Sequence, residues 1–161
     1  MHATARDLQS RHGFQRDPTP LDRLHLSLAG LGEVAEPPGC GWTRDIGDAI
    51  SRVRMPPFLV QMNTVLSFRR GRHGLWPVVL TGEDGVIGAG MLGDAIGAAL
   101  RREGVGCRLA STQHVTLAWS ELFVPEQPIP PISWTAREFV LIDSLQGAGR
   151  HQLLGRWPLA A

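Results

Sequence analysis

Two histidines, each followed two positions later by a hydroxyl residue, are the residues of this sequence best suited to chemistry. His25 and Ser27 lie in one short apolar stretch, and His114 and Thr116 lie in another. Histidine side chains in general titrate near neutral pH, so two of them can serve as a general base and a general acid. Two hydroxyls can hydrogen-bond the oxygens of a phosphate. The paired motifs therefore indicate phosphodiester hydrolysis without a metal.

Both motifs lie in segments with the period-two alternation of a β-strand. The apolar residues of the two segments are Leu24, Leu26 and Leu28 in the first and Val115 and Leu117 in the second. Successive side chains of a strand point to opposite faces, so the histidine and the hydroxyl of each motif share the face opposite these residues. The separation of the histidines, 114 − 25 = 89 residues, leaves room for two helices and two strands. It favours two lobes that face each other across a cleft.

Periodicity along the rest of the chain predicts an α+β fold, because helices and strands alternate without a strict βαβ rhythm. The predicted helices span about 3–12, 43–53 and 88–103, and the predicted strands span 24–29, 58–68, 75–80, 113–119, 138–145 and 150–157. Pro77 cannot donate to a neighbouring strand, so we expect its strand at the edge of a sheet. The first helix has a weak apolar stripe and is expected to be poorly anchored.

Length and composition limit the function classes. With 161 residues the chain fits one domain that can bury its own core, and a net charge of +1 indicates that any RNA binding must be local. Cys40 and Cys107 form no CxxC pair, the chain opens with no basic and apolar leader, and no apolar run is long enough to cross a bilayer. We therefore expect a cytoplasmic monomer with reduced thiols that does not enter a membrane.

The two motifs and their surroundings resemble the two-histidine (2H) phosphoesterases, specifically the bacterial RNA 2′,3′-cyclic phosphodiesterases historically called 2′-5′ RNA ligases. The resemblance extends over nearly the whole chain. Besides the motifs, it is carried by Leu24 to Leu28 leading into Leu31-Gly32-Glu33, by Phe68 to Trp76, by the helix before the second motif, and by Arg137 to Leu141 and Gly155 to Leu159.

The resemblance implies a bilobal fold of two mostly antiparallel sheets that flank a central cleft, with helices on the outside. It implies hydrolysis of ribose 2′,3′-cyclic phosphates, at RNA ends or on nucleotides, to 2′-phosphates, and it is compatible with reversible 2′-5′ RNA ligation. No metal or other cofactor is implied. By the same resemblance His114 is the base that activates water, His25 is the acid that protonates the departing ribose oxygen, and Ser27 and Thr116 hold the phosphate.

The sequence departs from the family pattern in several places. Gln113 stands where many members have proline, and Trp119 stands where arginine or lysine is common. The run Arg69-Arg70-Gly71-Arg72 is a candidate source of the missing charge, and it also fits an ordinary solvated turn. Members usually open with an apolar strand before the first helix, whereas this chain begins at what looks like that helix. We therefore expect a single two-lobed domain over 1–161 that lacks the family's N-terminal strand.

Other functions remain open at this point. One alternative is a non-catalytic RNA- or nucleotide-binding module, and another is a superfamily enzyme that acts on a different cyclic or 2′-5′-linked nucleotide. A metal site at His25 and His114 is disfavoured because neither has a carboxylate or a second histidine at ligand spacing. The glycines between 82 and 93 follow no phosphate-loop pattern. Phe68 and Trp119 are the aromatic residues most suited to stacking on a base.

Overall fold

A computed structural model of the protein describes residues 1–32, 39–69, 74–145 and 150–161. The helices of this part of the chain are α1 (His2–His12), α2 (Cys40–Ile50) and α3 (Ile87–Arg102). Its strands are β1 (Ala29–Gly30), β2 (Phe58–Ser67), β3 (Trp76–Thr81), β4 (Arg108–Leu109), β5 (His114–Ser120), β6 (Gln127–Ala136), β7 (Glu138–Leu145) and β8 (Arg150–Pro158). Short 3-10 turns occur at Leu21–Arg23 and Asp84–Val86. The α+β prediction is confirmed.

The chain divides into two compact units, each built from three separate stretches. Unit 1 consists of Met1–Ser27, Gln61–Val86 and Thr112–Ser133, and unit 2 consists of Leu28–Val60, Ile87–Ser111 and Trp134–Ala161. Strands β2 and β6 contribute residues to both units. Both histidine motifs belong to unit 1, so one unit supplies all four of the candidate site residues.

Unit 1 is organised by a four-stranded sheet with the order β5-β3-β2-β6. The prediction that β3 lies at an edge is wrong, because β3 pairs antiparallel with both β2 and β5. The carbonyl of Pro77 accepts a hydrogen bond of 3.0 Å from the backbone N–H of Phe68. In an antiparallel pair the N–H and the carbonyl of one residue point to the same neighbouring strand, so the N–H that Pro77 lacks would also point toward Phe68. Strand β2 ends at Ser67, one residue before Phe68, so the missing N–H removes no hydrogen bond from the regular ladder between β2 and β3.

Strand β6 has no counterpart in the sequence prediction. It contains Pro128, Pro130 and Pro131, a composition that argues against a strand in the middle of a sheet. The structure places it at the end of the strand order, where one side needs no ladder partner. Proline therefore does mark an edge strand in this protein, but the strand is β6 and not β3.

One face of this sheet forms the core of unit 1. Its buried residues are Val65, Ser67, Val78, Leu80, Val115, Ala118 and Ser120. Helix α1 contacts β5 and buries Ala5 and Leu8, of which Leu8 is fully inaccessible. The helix predicted over 3–12 is thus confirmed, but the expectation that it is poorly anchored is wrong. Two well-buried side chains on successive turns are sufficient to fix it, although its overall stripe is weak.

Unit 2 has a separate core between two helices and a hairpin. The buried cluster is formed by Ile46, Ala49, Ile50, Leu92, Ile96, Leu100, Phe139 and Leu159. Helix α2 begins after Gly39, earlier than the predicted cap at Thr43, and ends at Ile50, so that Val53 joins the cluster from outside the helix. Helix α3 is confirmed, with Gly104 at a positive φ of 73° after its end.

The two strands predicted at the end of the chain are confirmed as the antiparallel hairpin of β7 and β8. Within it the rings of Phe139 and Trp157 stack with centroids 5.6 Å apart. Gly155 is required there, because a Cβ at this position would lie 2.3 Å from the indole of Trp157. The predicted turn at 146–149 lies outside the described residues. No helix in the described part of the chain is long and apolar enough to cross a membrane.

Candidate active site

The first motif lies in a segment with little regular pairing. Leu26 forms an isolated antiparallel bridge with Val115 of β5, and no longer ladder includes this part of the chain. The alternation predicted for 24–29 is confirmed, since His25 and Ser27 are exposed and Leu26 is half-buried. The continuous strand is not, because the segment enters a regular sheet only at β1, which pairs with β4.

This single bridge brings the two motifs together on one face. In an antiparallel pair the residues that flank a bridge lie opposite each other. His25 therefore lies across from Thr116, Ser27 lies across from His114, and all four side chains are on the face opposite Leu26. Each imidazole has the hydroxyl of the other motif as its direct neighbour. The two imidazoles are diagonal neighbours, and such positions are about 7–8 Å apart in antiparallel pairs.

Both histidines make the same type of hydrogen bond to the backbone, and it determines which ring nitrogen carries the hydrogen. Nδ1 of His25 lies 2.8 Å from the carbonyl oxygen of Arg23, and Nδ1 of His114 lies 2.7 Å from the carbonyl oxygen of Thr112. A carbonyl oxygen only accepts, so each Nδ1 must carry a hydrogen. Nε2 is then the nitrogen that takes up or releases a proton in both side chains. The sequence motif does not show this bond, because it uses backbone groups two residues before each histidine.

The second histidine is the more enclosed of the two. His114 and Thr116 are half-buried, whereas His25 and Ser27 are exposed. The ring of Phe68 contacts His114 edge to face, with centroids 4.8 Å apart and planes inclined at 65°. Aromatic contacts of this geometry are favourable and directional, so Phe68 restricts the orientation of the His114 imidazole.

Strand β3 supplies a further hydroxyl beside the second motif. Thr81 pairs with His114 across the sheet, and its Oγ1 donates a hydrogen bond of 2.9 Å to the carbonyl oxygen of Gln113. This bond secures the first residues of β5, and Gln113 itself is buried. Sequence reasoning did not select Thr81, because a threonine at the end of an apolar strand has no distinguishing pattern.

A β-bulge in β5 changes which side chains share the face of the histidines. Val79 pairs with Thr116, but the preceding residue Val78 pairs with Ala118, so Leu117 is the extra residue of the bulge. Beyond this point the alternation of β5 is shifted by one position.

Trp119 reaches the histidine face as a result of this shift. It pairs with Pro77, which lies two residues from Val79 and therefore on the same face of β3. Without the bulge, strict alternation along β5 would have placed Trp119 on the other face of the sheet from His114. The sequence identified Trp119 as an unusual residue, but only the pairing with β3 shows its direction.

The arginine run that was proposed as a replacement charge is largely outside the described residues. Arg69 is described and exposed, and 70–73 are not described. The idea that this run neutralises the phosphate therefore stays a prediction.

Comparison with solved structures identifies the fold. A crystal structure described as a phosphoesterase is 26% identical, covers 99% of this chain and 94% of its own, and superposes with a TM-score of 0.71. E. coli LigT in its apo form has a TM-score of 0.73 at 24% identity, over 99% of this chain and 91% of its own. E. coli LigT complexed with 3′-AMP has a TM-score of 0.69 at 26% identity, over 99% and 93%. No protein-family model and no curated protein matches the sequence.

Proposed function

We infer that this chain, which has the fold of the two-histidine phosphoesterases, hydrolyses ribose 2′,3′-cyclic phosphates to 2′-phosphates without a metal. One observation carries the proposal. The bridge between Leu26 and Val115 places two imidazoles and two hydroxyls on a single face, in a diagonal arrangement that suits a phosphate between them. Nucleotide substrates are supported by the crystal structures of E. coli LigT with 3′-AMP and with ATP.

The proposed reaction uses the two Nε2 atoms on opposite sides of the phosphorus. Nε2 of His114 takes a proton from water as the water oxygen forms its bond to phosphorus. Nε2 of His25 gives a proton to the ribose 3′ oxygen as the bond between that oxygen and phosphorus breaks. The products are a 2′-phosphate and a free 3′ hydroxyl, so atoms and protons balance. The hydrogen bonds to the carbonyls of Arg23 and Thr112 keep each Nδ1 protonated throughout.

Ser27 and Thr116 are proposed to bind the phosphate oxygens that do not take part in bond cleavage. Each hydroxyl lies across the bridge from the histidine of the other motif, so a phosphate between the imidazoles is within reach of both. Hydrogen bonds to a group that gains negative charge strengthen toward the transition state. The hydroxyls are thus expected to affect the rate as well as binding.

The test is incubation with adenosine 2′,3′-cyclic phosphate in the presence of a chelator. We expect formation of the 2′-phosphate that the chelator does not inhibit. His25→Ala and His114→Ala should each reduce kcat by at least about 10²-fold, as is usual when a general acid or base is removed. His2→Ala is the matched control, because His2 is a histidine of α1 that accepts a hydrogen bond from Arg6 and is not among the candidate site residues.

The outcomes separate the candidate functions. Full activity of both histidine variants would refute the catalytic proposal. Absence of turnover together with nucleotide binding at micromolar concentration would indicate a binding module that has the same face but no acid–base function. Turnover that the chelator abolishes would refute the metal-independent mechanism.

A further inference from the structure

Trp119 is exposed on the same face as the candidate catalytic residues, although large aromatic side chains are usually buried. It retains 45% of its accessible surface. The bulge at Leu117 is the cause, because it turns Trp119 away from the core face of the sheet and toward the face of Thr116. A bulge disrupts the ladder locally, and such features are frequent beside active sites, where they redirect a side chain.

Three apolar residues with ring-shaped side chains form a row next to Thr116, one of the proposed phosphate-binding residues. Trp119 pairs with Pro77, and the carbonyl of Pro77 in turn accepts a hydrogen bond from the backbone N–H of Phe68, the residue that follows β2. Phe68, Pro77 and Trp119 therefore lie side by side, with Pro77 on β3, Trp119 on β5 and Phe68 directly after the end of β2. Phe68 also contacts the ring of His114, which links this row directly to the second motif.

The distance between this row and the phosphate-binding row fits a nucleoside. Along β3 the step from Val79, the partner of Thr116, to Pro77, the partner of Trp119, is two residues. Two residues of a strand span about 7 Å. A ribose separates the phosphate of a nucleotide from its base, so a phosphate held at Thr116 would bring the base close to Trp119.

We propose that Trp119 is a specificity-determining residue that stacks on the base of a nucleoside 2′,3′-cyclic phosphate, with Phe68 and Pro77 completing the apolar surface. This proposal rests on the proposed function and adds that the base, and not only the cyclic phosphate, is recognised. Stacking on an aromatic side chain tolerates any base. The site is therefore selective for nucleosides over base-free sugars, without a strong preference among bases.

The same residue changes the electrostatics of the site. Trp119 has no charge, so its contribution to binding is insensitive to screening by salt, whereas a cation at this position would attract the phosphate in a salt-dependent way. The KM of the wild type should accordingly depend less on ionic strength than the KM of Trp119→Arg.

The experiment compares adenosine 2′,3′-cyclic phosphate with 1-O-methylribose 2′,3′-cyclic phosphate, which has no base. Trp119→Ala should raise the KM for the nucleotide by about 5- to 150-fold, the range expected for loss of one stacked base, and leave kcat nearly unchanged. Kinetics on the base-free sugar should not change. Trp119→Phe should recover most of the lost affinity. Trp42→Ala, which removes an exposed tryptophan of unit 2, is the matched control.

Two outcomes would overturn the proposal: an unchanged KM for the nucleotide in Trp119→Ala, or an equal loss on both substrates, which indicates a structural role. If the wild type hydrolyses neither substrate, the proposed reaction fails and stacking is tested by calorimetry with adenosine 2′-phosphate. Binding that Trp119→Ala weakens would then support the stacking role alone. Absence of binding to the wild type would refute both proposals.

Discussion

The segment that carries His25 and the strand that carries His114 have the same sequence pattern but are held in the fold in different ways. Strand β5 pairs with β3 from one end to the other, and its histidine is half-buried against Phe68. The segment around His25 is joined to β5 through the single bridge at Leu26, and its histidine is exposed.

The proposed catalytic role requires that each histidine be both oriented and positioned. Orientation is provided in the same way in both motifs, by a hydrogen bond from Nδ1 to a backbone carbonyl two residues earlier. Position is provided by a full ladder for His114 and by one bridge for His25. We therefore expect weaker backbone attachment to reduce activity more than stability at the first motif, and stability more than activity at the second.

The hydroxyls offer the largest contrast between the motifs. In the proposed site Ser27→Ala and Thr116→Val would each remove one hydrogen bond to a charged phosphate, which is worth about 1.5–3 kcal/mol, or roughly 10- to 150-fold in kcat/KM. We expect the loss to be larger for the half-buried Thr116 than for the exposed Ser27, because water replaces a lost donor more easily at an exposed position. Steady-state kinetics on adenosine 2′,3′-cyclic phosphate measures both.

Equal losses in kcat/KM, or a larger loss for Ser27→Ala than for Thr116→Val, would mean that the burial of a hydroxyl does not determine how much it contributes. Ser10→Ala, at an exposed position in α1, is a control for the loss of a serine hydroxyl. An unchanged kcat/KM in both motif variants would refute the role of the hydroxyls in phosphate binding.

The bridge itself can be weakened from either side. Val115→Ala removes a buried side chain within the ladder and should lower the free energy of unfolding by about 1.5–3 kcal/mol. Leu26→Ala should cost less stability because Leu26 is half-buried, yet reduce kcat more than Val115→Ala does, because it loosens the positioning of His25. Urea denaturation and initial rates on the same samples test the pair. Greater destabilisation by Leu26→Ala would contradict the assignment of the two roles.

Local periodicity predicted much of this fold, and pairing between distant segments explains the errors. Helix α3 and the hairpin of β7 and β8 follow from patterns contained within each segment. The position of β3 in the middle of the sheet does not, because it depends on where β2 ends relative to Pro77. Strand β6 was missed for a related reason, since its prolines are tolerated only because it lies at the end of the strand order.

In the candidate site, too, some features follow from local alternation and others depend on pairing between distant segments. The common face of each histidine and its hydroxyl was predicted correctly from alternation. The diagonal arrangement of the motifs depends on the bridge between Leu26 and Val115, and the direction of Trp119 depends on a bulge that pairing with β3 creates. Neither has a signature in the sequence, because each arises from the register between strands that are far apart along the chain.

The contact between Phe68 and His114 is the next smaller effect. Edge-to-face aromatic pairs contribute about 0.5–1.5 kcal/mol, so Phe68→Leu, which keeps an apolar side chain, should reduce kcat/KM by roughly 2- to 10-fold. The ring of Phe68 contacts the second histidine. On the base-free sugar, which does not use the stacking surface, the loss should therefore disappear in a His114→Ala background and persist in a His25→Ala background. A loss that persists equally in both backgrounds would show that Phe68 acts through the fold and not through His114.

The smallest expected effect concerns an ion pair that joins the chain ahead of the first motif to the end of β5. Arg16 Nε lies 2.9 Å from the carboxylate of Glu121. The pKa of Glu121 is lowered, first by a hydrogen bond from its own backbone N–H and further by Arg16. Its charged form is favoured by folding, so its contribution to stability is present above the unfolded pKa and is lost as pH falls through the lower folded pKa.

Glu121→Gln should therefore reduce the fall of Tm between neutral and acidic pH, by a small amount because the pair is exposed to solvent. Arg16→Gln should reduce it less, since the backbone hydrogen bond remains. Glu126→Gln, another exposed carboxylate, is the matched control. An identical acid dependence of Tm in the wild type and Glu121→Gln would show that this ion pair does not help to hold the first motif beside β5, and would leave that role to the bridge at Leu26 and to the hydrogen bond from the N–H of Thr19 to the carbonyl oxygen of Leu117.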